Sequence, residues 1–371
     1  MKFLHTADWQ IGLKAKAVGQ AGSRVREERL AAARRVVTLA NKEKVDFLLL
    51  AGDVFEDNGV DRYLVQQVGD VLARAAGPVY IIPGNHDPAV PGSVWDHPVW
   101  RSSRRLQVLM EKAAVNIPGG RLYPCPLKEK SSGLDPTAWI KAEKGDAVRI
   151  GLAHGTVESA PVEEQDHPIS RRAASKLGLD YLALGHWHST AFFPEDDGAV
   201  RLAYSGTPEP TGFAERDSGH VLLVEIAQTG ARPEIKKVPT GRLKWETREI
   251  EIAGGESWPA IKKELASWSD PESSLLEIRL QGLLEASHRE EPELIDQMLQ
   301  SKFLFSRLDA THLTPSPEDE GWVAGLPVGI VRETAERLRR IAAGRETASD
   351  LTPQIAAQAL LELYALAAET A

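Results

Sequence analysis

The sequence predicts a layered α/β fold, and three observations support this prediction. Short apolar runs of strand length recur through the first two-thirds of the chain. Helical patterns separate the first of these runs, an alternation that is typical of α/β proteins. Several runs also end alike, in a tight turn followed by a residue of a metal-ligating type. Because ligands collect at the carboxyl ends of strands in such sheets, we expect a functional site at these ends.

The composition is that of a globular protein with more than one domain. The chain has 371 residues, of which 42% are hydrophobic and 26% charged, and this length exceeds what one compact core usually holds. The single cysteine, Cys125, excludes a disulfide scaffold and a cysteine zinc site, and it suits a reducing cytoplasm. Signal-peptide and membrane-spanning patterns are absent, so we expect no membrane partner. The net charge of −9 argues against indiscriminate nucleic-acid binding, unless metals supply a local positive field.

The first two predicted strands end beside polar side chains. The strand from Phe3 to Thr6 leads to Asp8 and Gln10, which share a face because alternate residues of an extended segment point the same way. The strand from Asp46 to Ala51 ends in a glycine followed by Asp53. Predicted helices follow these strands at residues 24–44 and 61–75.

Three later strands continue the pattern. The strand at 78–83 ends in Asn85, His86 and Asp87; the strand at 147–153 ends in His154; and the strand at 180–184 ends in His186 and His188. Taken singly, such residues are more often turn formers or solvated side chains than ligands. Their recurrence at successive strand ends predicts a shared metal site.

From about residue 239 the pattern changes to a smaller α+β domain without a candidate ligand cluster. A Pro- and acid-rich linker, Thr314 to Glu320, precedes two helices with apolar stripes. The stripe of the first helix is Val328, Val331, Ala335, Leu338 and Ala342, and that of the second includes Ala356, Leu360, Leu363 and Ala367. These stripes either pack against each other or dock on a partner through anchors such as Leu360 and Leu363. We therefore divide the chain at 1–238, 239–317 and 318–371.

The ligand types favour a transition-metal centre. Carboxylate, amide and imidazole donors without thiolates suit Mn²⁺, Fe²⁺ or Zn²⁺ better than Ca²⁺. One carboxylate can bridge two ions, and a two-metal site suits phosphoester hydrolysis. His86, beside Asn85, is the candidate general acid that protonates the leaving alkoxide, and Asp87 is placed to orient or tune that imidazole.

The same residues carry a resemblance to a known superfamily. In order, the segments that resemble the five motifs of calcineurin-like metallophosphoesterases are Asp8, Gly52-Asp53, Gly84 to Asp87, His154-Gly155 and Gly185 to His188. Within that superfamily, His5 to Trp9, Asp180 to His186 and Ser205 to Glu215 resemble the SbcD-type DNA repair exonucleases. The resemblance implies a four-layer α/β/β/α metallophosphoesterase sandwich with a smaller α+β capping domain and C-terminal helices.

The resemblance also implies two divalent metal ions, expected to be Mn²⁺ and bridged by Asp53. The implied ligands of one ion are Asp8, residue 10, Asp53 and His188, and those of the other are Asp53, Asn85, His154 and His186. The family usually has histidine at position 10, where this chain has Gln10. The amide oxygen of Gln10 is uncharged and weakly donating, so the first position is expected to be weaker or differently selective.

A DNA exonuclease or endonuclease is the function that this resemblance implies. Residues 1–238 would form the nuclease domain, 239–317 would cap DNA, and 318–371 would dock on an SMC-like coiled-coil ATPase of the SbcC type. The resemblance also admits a homodimer. Two alternatives stay open: a phosphoesterase acting on a small substrate, favoured by the acidic net charge, and a catalytically weak scaffold for an ATPase, motivated by Gln10.

Overall fold

The computed structural model describes residues 1–142, 145, 147–158, 166–316, 321–348 and 351–369. These residues form two compact units, Met1–Trp245 and Glu246–Ala371. The first unit contains all of the predicted ligands. The second unit contains both the small sheet and the closing helices, so the predicted division at residue 318 stays a prediction.

The first unit begins with alternating strands and helices as far as Ile82 and continues mainly as strands. The strands are β1 Lys2–Thr6, β2 Phe47–Ala51, β3 Val79–Ile82, β4 Leu106–Val108, β5 Val115–Ile117, β6 Gly120–Pro124, β7 Val148–His154, β8 Tyr181–Gly185, β9 Ala191–Pro194, β10 Val200–Tyr204, β11 His220–Glu225 and β12 Glu234–Pro239. The helices are α1 Gly22–Glu43, α2 Arg62–Leu72 and α3 Ala173–Lys176.

Two six-stranded sheets form the framework of this unit. The first sheet has the strand order β12-β11-β1-β2-β3-β4, and the second has the order β5-β6-β7-β8-β10-β9. Strands β1 to β4 run parallel, as do β6, β7, β8 and β10. Parallel strands end at the same edge of a sheet, so the turns after β1, β2 and β3 lie together, as do those after β7 and β8.

The alternation of side chains along β2 shows how the layers stack. Leu48 and Leu50 pack into a core with residues of α1 and α2, on the outer face of the first sheet. Phe47 and Leu49 point the other way and pack with Leu152 of the second sheet. A third core, with residues of α3, covers the far face of the second sheet. The predicted α/β fold with parallel-rich sheets is confirmed.

The sequence patterns missed the short strands. Residues 91–130 have no clear period, yet they supply β4, β5 and β6 at the margins of both sheets. Edge strands of three to six residues bury little surface, so their sequences need not alternate. Trp95 and Trp100, in the same stretch, are buried in the core between α2 and the first sheet.

The second unit begins with a three-stranded sheet covered by two helices. Its strands are β13 Lys244–Ile252, β14 Ser274–Leu284 and β15 Phe305–Pro315, and its helices are α4 Ser257–Ala266, α5 Glu291–Lys302, α6 Trp322–Gly325, α7 Ile330–Ala342 and α8 Pro353–Glu369. Thr314 and Pro315, predicted to start a linker, end β15, and residues 317–320 lie outside the described part of the chain.

The last two helices pack on each other. Ala335 of α7 and Leu360 of α8 are buried in one small cluster, with Leu338 and Leu363 packed against it. Two residues of the predicted stripe of α7 do not join this cluster, since Val328 is 89% exposed and Val331 is 48% exposed. Among the described helices, none is long and apolar enough to cross a membrane.

Candidate metal centre

The segment after β1 is fixed to the loop that follows β2. The backbone N–H of Asp8 donates to the carbonyl of Gly52 at 3.1 Å, and that of Gln10 donates to the carbonyl of Asp53 at 3.0 Å. These bonds continue the pairing of β1 with β2 beyond the strand ends. The structure thereby holds Asp8, Gln10 and Asp53 at one edge of the first sheet.

Four of the predicted ligands have left-handed backbone conformations. The φ angles are 54° at Asp8, 46° at Gln10, 51° at Asp53 and 112° at His186. A non-glycine residue with positive φ costs about 1–3 kcal/mol, and such residues persist only where the surrounding structure enforces them. These backbone conformations therefore cost folding free energy, and they direct the four side chains into one space.

Two glycines allow the ligand loops to approach one another. A Cβ atom at Gly84 would lie 2.1 Å from Oδ1 of Asp53, and one at Gly185 would lie 2.0 Å from the carbonyl oxygen of Ala51. No side chain fits at either position. These contacts explain why glycine precedes Asn85 and His186 in the sequence.

His154, at the end of β7, has an acceptor at both ring nitrogens. Its Nδ1 lies 2.7 Å from the carbonyl oxygen of Ala51 and therefore carries a proton. Its Nε2 lies 2.8 Å from Oδ1 of Asn85 and 3.5 Å from Oδ2 of Asp53. Burial alone would lower the pKa of His154, but the charge of Asp53 and a hydrogen bond to it raise that pKa to about 9. A cation, either a proton or a metal ion, is needed where Nε2 meets these oxygens.

Asp8 and Asp53 place two carboxylates in the same buried space. One donor atom each of Asp8, Asp53 and His154 lie within 4.8 Å of one another. Burial and repulsion by Asp53 raise the pKa of Asp8 to about 6, against the opposing charges of His154 and His188. Burial would also raise the pKa of Asp53, but the charges and hydrogen bonds of His154 and His86 hold it well below its usual value. Buried carboxylates of this kind need a positive counter-charge.

The side chain of Gln10 has a buried oxygen without a hydrogen-bond partner among the described residues. The side chain is 2% exposed, and its Nε2 donates to Oδ2 of Asp53 at 3.0 Å. Its Oε1 has no hydrogen-bond partner among the residues that the structure describes. Leaving a buried acceptor unpaired costs about 1–3 kcal/mol, and an oxygen ligand to a divalent cation would no longer be unpaired. The residues present therefore fit a metal.

His186 and His188 approach from the turn after β8. The backbone N–H of His186 donates to Oδ1 of Asp8 at 3.0 Å, and its ring Nδ1 lies 3.2 Å from Oδ1 of Asn85. Burial and the charge of His154 lower the pKa of His186 to about 4, so the ring is neutral, as a metal ligand must be. Burial alone would lower the pKa of His188, but a hydrogen bond to Glu215 and the charge of Asp8 raise it.

The orientation of His188 is set by a residue that the sequence patterns did not identify. Nδ1 of His188 lies 2.9 Å from Oε1 of Glu215 and 3.2 Å from the hydroxyl of Thr211. With Nδ1 protonated and bonded to Glu215, the lone pair on Nε2 is left for a metal. Glu215 lies 27 residues after His188 in the chain, and no local spacing signals such a distant pair.

His86 lies beside the buried cluster and is half-buried. Its backbone N–H donates to Oδ1 of Asp53 at 2.9 Å, and its ring Nδ1 lies 2.9 Å from the carbonyl oxygen of Glu56. That carbonyl requires a proton on Nδ1, so Nε2 is the nitrogen left available for proton exchange. The Glu56 carbonyl, and not Asp87, is the group that orients this ring.

Asp87 is fully buried and serves the backbone of the site. Its two carboxylate oxygens accept from the N–H of Gly84 at 2.7 Å and from that of Phe55 at 3.0 Å. Burial and repulsion by Asp53 raise the pKa of Asp87 to about 7. In the structure, Asp87 joins the loop after β3 to the loop after β2.

A two-sheet α/β fold with carboxylate, amide and imidazole donors at one edge is the arrangement expected of a metal-dependent hydrolase. Residues 1–190, just over half of the chain, match the family described as calcineurin-like phosphoesterase, and the chain belongs to that family. The chain is thus a member of a phosphoesterase family and has a candidate divalent-metal site.

The chain is also similar to curated relatives and to solved structures. It is 23% identical over 274 residues to the uncharacterized metallophosphoesterase YhaO of Bacillus subtilis strain 168, a match covering 70% of this chain and 65% of the relative. The chain therefore spans less than two-thirds of the length of this relative.

Two similar structures are TT1561 of Thermus thermophilus and a zinc complex of wild-type Vps29 from Entamoeba histolytica. The first is 13% identical, covers 64% of this chain and 98% of that chain, and has a TM-score of 0.42. The second is 13% identical, covers 65% of this chain and 99% of that chain, and has a TM-score of 0.32. Neither score adds to the fold described above.

Proposed function

We propose that this phosphoesterase is a Mn²⁺-dependent DNA nuclease subunit of the SbcD type. The observation that carries the proposal is the buried cluster of Asp8, Asp53 and His154 with His86 beside it. With cations bound, the cluster would suit a charged phosphoryl group, and His86 suits a leaving group that must be protonated. Two bridged cations, as proposed here, would supply Lewis acidity toward the phosphoester and lower the pKa of the attacking water.

The residues of the chain divide the remaining work. The half-buried His86 donates a proton from Nε2 to the leaving oxygen, since its Nδ1 proton is held by the carbonyl of Glu56. His188 is held in one orientation by Glu215. The left-handed backbone of Asp8 and Asp53 keeps their carboxylates in place before substrate arrives.

DNA is favoured over a small substrate by the surroundings of the ligands. Exposed cations follow two site segments closely in the chain: Lys14 and Lys16 come soon after Gln10, and Arg216 comes directly after Glu215. Such cations can pair with the phosphates that flank a scissile bond. A cavity of about 380 Å³, lined by His186, His188 and six further residues including Trp187, has room for a group attached to that phosphate.

We propose an SMC-like coiled-coil ATPase as the partner, through the helices after residue 320. The support is the family resemblance together with an apolar groove of about 660 Å³ lined by residues 325–331 of the loop and α7 and by the end of α8. Val328 and Ile330, in this groove, are 89% and 80% exposed. Leu360, a predicted anchor, packs inside the helical pair instead and is 7% exposed.

The direct test uses purified protein with Mn²⁺ on linear duplex DNA, single-stranded DNA and a chromogenic phosphodiester. We expect cleavage of DNA that is abolished by chelation and by Asp53→Asn, which removes the charge of the shared carboxylate. Rising salt should weaken DNA cleavage, because phosphate contacts release counterions. Asp70→Asn, which changes a carboxylate of α2 outside the site, is the matched control.

The alternatives make different predictions in the same assay. A small-substrate phosphoesterase, which the net charge of −9 favours, would hydrolyse the chromogenic ester and leave both DNA substrates intact. A scaffold subunit would bind the ATPase but cleave none of the three. Either result would overturn the nuclease proposal.

A further inference from the structure

Arg29 is a buried cation whose hydrogen-bond partners, among the described residues, are all backbone carbonyls. The residue lies in the second turn of α1 and is 2% exposed. Its guanidinium donates to five backbone carbonyl oxygens. Nε donates to Gln10 at 3.2 Å, and Nη1 donates to Glu209 at 3.1 Å and to Pro210 at 3.5 Å. Nη2 donates to Asp8 at 3.5 Å and to Trp9. Every nitrogen of the guanidinium is used.

The five carbonyls belong to two segments that serve the metal centre. Residues 8–10 carry the ligand side chains of Asp8 and Gln10. Residues 209–210 precede the loop whose Thr211 and Glu215 contact His188. The guanidinium of Arg29 therefore connects the backbone of residues 8–10 with that of residues 209–210, two segments that are far apart in the chain.

We infer that Arg29 is a positioning residue for the metal centre. It holds the backbone of residues 8–10 in the conformation that places Asp8 and Gln10 in the cluster, and it fixes residues 209–210 relative to them. The inference deepens the proposed function, because it rests on the same centre. It does not depend on DNA being the substrate.

The chemistry of the side chain explains why arginine stands here. A guanidinium offers five N–H donors in a rigid planar fork, whereas an ammonium is a single point with three donors. Asp8 and Gln10, on either side of Trp9, both have left-handed φ angles, so their carbonyls are turned away from regular strand pairing. Without a forked donor, the buried carbonyls of Asp8 and Trp9 lose the guanidinium that donates to them, while that of Gln10 keeps the N–H of Leu13 at 3.2 Å. The charge also persists, because burial lowers the pKa of Arg29 only to about 10.

The test compares Arg29→Lys and Arg29→Met with the wild-type full-length chain. Mn²⁺ affinity is measured by calorimetry, and hydrogen exchange is followed in the peptide that contains residues 8–13. Arg29→Lys keeps a charge and a long stem, so it remains informative if Arg29→Met fails to fold. Arg149→Met is the control, since it removes another largely buried guanidinium of the same unit that bonds to Asp180 and Thr229 outside the centre.

We expect both Arg29 variants to bind Mn²⁺ roughly 10–100-fold more weakly, the usual effect of removing a group that orients ligands. Exchange at residues 8–13 should speed up, and Arg149→Met should keep wild-type affinity. Wild-type affinity with unchanged exchange in Arg29→Lys would overturn the inference. A wild-type chain that binds Mn²⁺ but leaves DNA intact would overturn the nuclease proposal alone.

Discussion

At the scale of single residues, Gln10 is an unusual candidate ligand of the centre. Its amide nitrogen is bonded to Asp53, and its buried oxygen has no partner among the described residues. A neutral amide oxygen attracts a transition-metal ion less than an imidazole nitrogen does. The centre is therefore expected to hold one cation less tightly than a histidine at position 10 would allow.

Replacing Gln10 with histidine should raise Mn²⁺ affinity by roughly tenfold. The left-handed φ of 46° at this position is compatible with the change, because histidine tolerates that region better than most residues. Calorimetric titration of the purified variant measures the effect. Gln20→His, at an exposed position, is the control, and equal affinities for wild type and Gln10→His would show that residue 10 is not a ligand.

His86→Ala should separate metal binding from turnover. We expect turnover to fall by roughly 10²–10⁴-fold, the usual contribution of a general acid. Metal content should stay near that of wild type, because Nδ1 of His86 is held by the Glu56 carbonyl and the hydrogen bond from His86 to Asp53 comes from its backbone N–H. Metal analysis beside the rate measurement checks both points, and a parallel loss of metal would make His86 a ligand.

The sequence predicts the ligand types but not the residues that hold them in place. Asp8, Asp53 and His154 follow strand ends, so their neighbours in the chain signal them. Arg29 contacts Gln10, which lies 19 positions away in the chain, and Glu215 contacts His188, which lies 27 positions away. Only the folded structure brings these residues together. The Glu56 contact is a backbone carbonyl and leaves no trace in residue identity. The contacts that orient the candidate ligands are therefore the part of the site that the order of residues in the chain does not predict.

At the scale of elements, the central strands were predictable and the edges were not. Central parallel strands such as β2 are buried on both faces and read as continuous apolar runs. β12, with the sequence Glu234 to Pro239, pairs only with β11 and exposes alternate charges. Its side chains are those of a loop, and its partner strand defines it.

Asp180 shows how a single carboxylate fixes the start of two strands. It lies just before β8 and accepts from the backbone and guanidinium of Arg149 in β7, at 2.8 and 3.2 Å, and from the backbone of Gly230 at 2.7 Å. Burial alone would raise its pKa. The hydrogen bonds from Arg149 and Gly230 outweigh burial and lower that pKa below the usual 3.8.

Asp180→Asn should cost about 1–3 kcal/mol of unfolding free energy at neutral pH. Because the folded pKa is lowered, this stabilisation is present above the usual pKa of 3.8 and disappears as the pH falls below it. Urea unfolding of wild type and variant from about pH 7 to about pH 3 should show the difference shrinking. Asp196→Asn, whose side chain is 86% exposed, should change stability little, and a pH-independent difference at Asp180 would contradict the assignment.

At the scale of the whole molecule, the groove beside α7 and α8 can be tested without removing either helix. Val328→Asp and Ile330→Asp should leave the unfolding midpoint unchanged, because both side chains are largely exposed. Each should abolish co-purification with a co-expressed SMC-like ATPase by placing a charge on an apolar contact. Ile355→Asp, 55% exposed on α8 and outside the groove lining, is the control. Undiminished capture by both variants would place the partner elsewhere.

The predicted ligands come from both sheets of the first unit. Asp8, Asp53 and Asn85 follow strands of the first sheet, and His154 and His186 follow strands of the second. A cation bound by both sets stabilises the folded state by mass action, by about 2.7 kcal/mol at a hundredfold excess over Kd. Thermal unfolding with Mn²⁺ and then with chelator measures this. Equal midpoints for the two conditions would show that no cation joins the sheets.

The facing surfaces of the two sheets are apolar for most of their length, with Phe3, Phe47 and Tyr181 among the side chains between them. At the ligand edge this seam becomes charged, with Asp8, Asp53 and His154 buried there. A supply of divalent metal would then govern how long the chain stays folded as well as how fast it works, since unfolded chains are degraded in cells. In a metal-starved cell, the abundance of this protein would fall along with its activity.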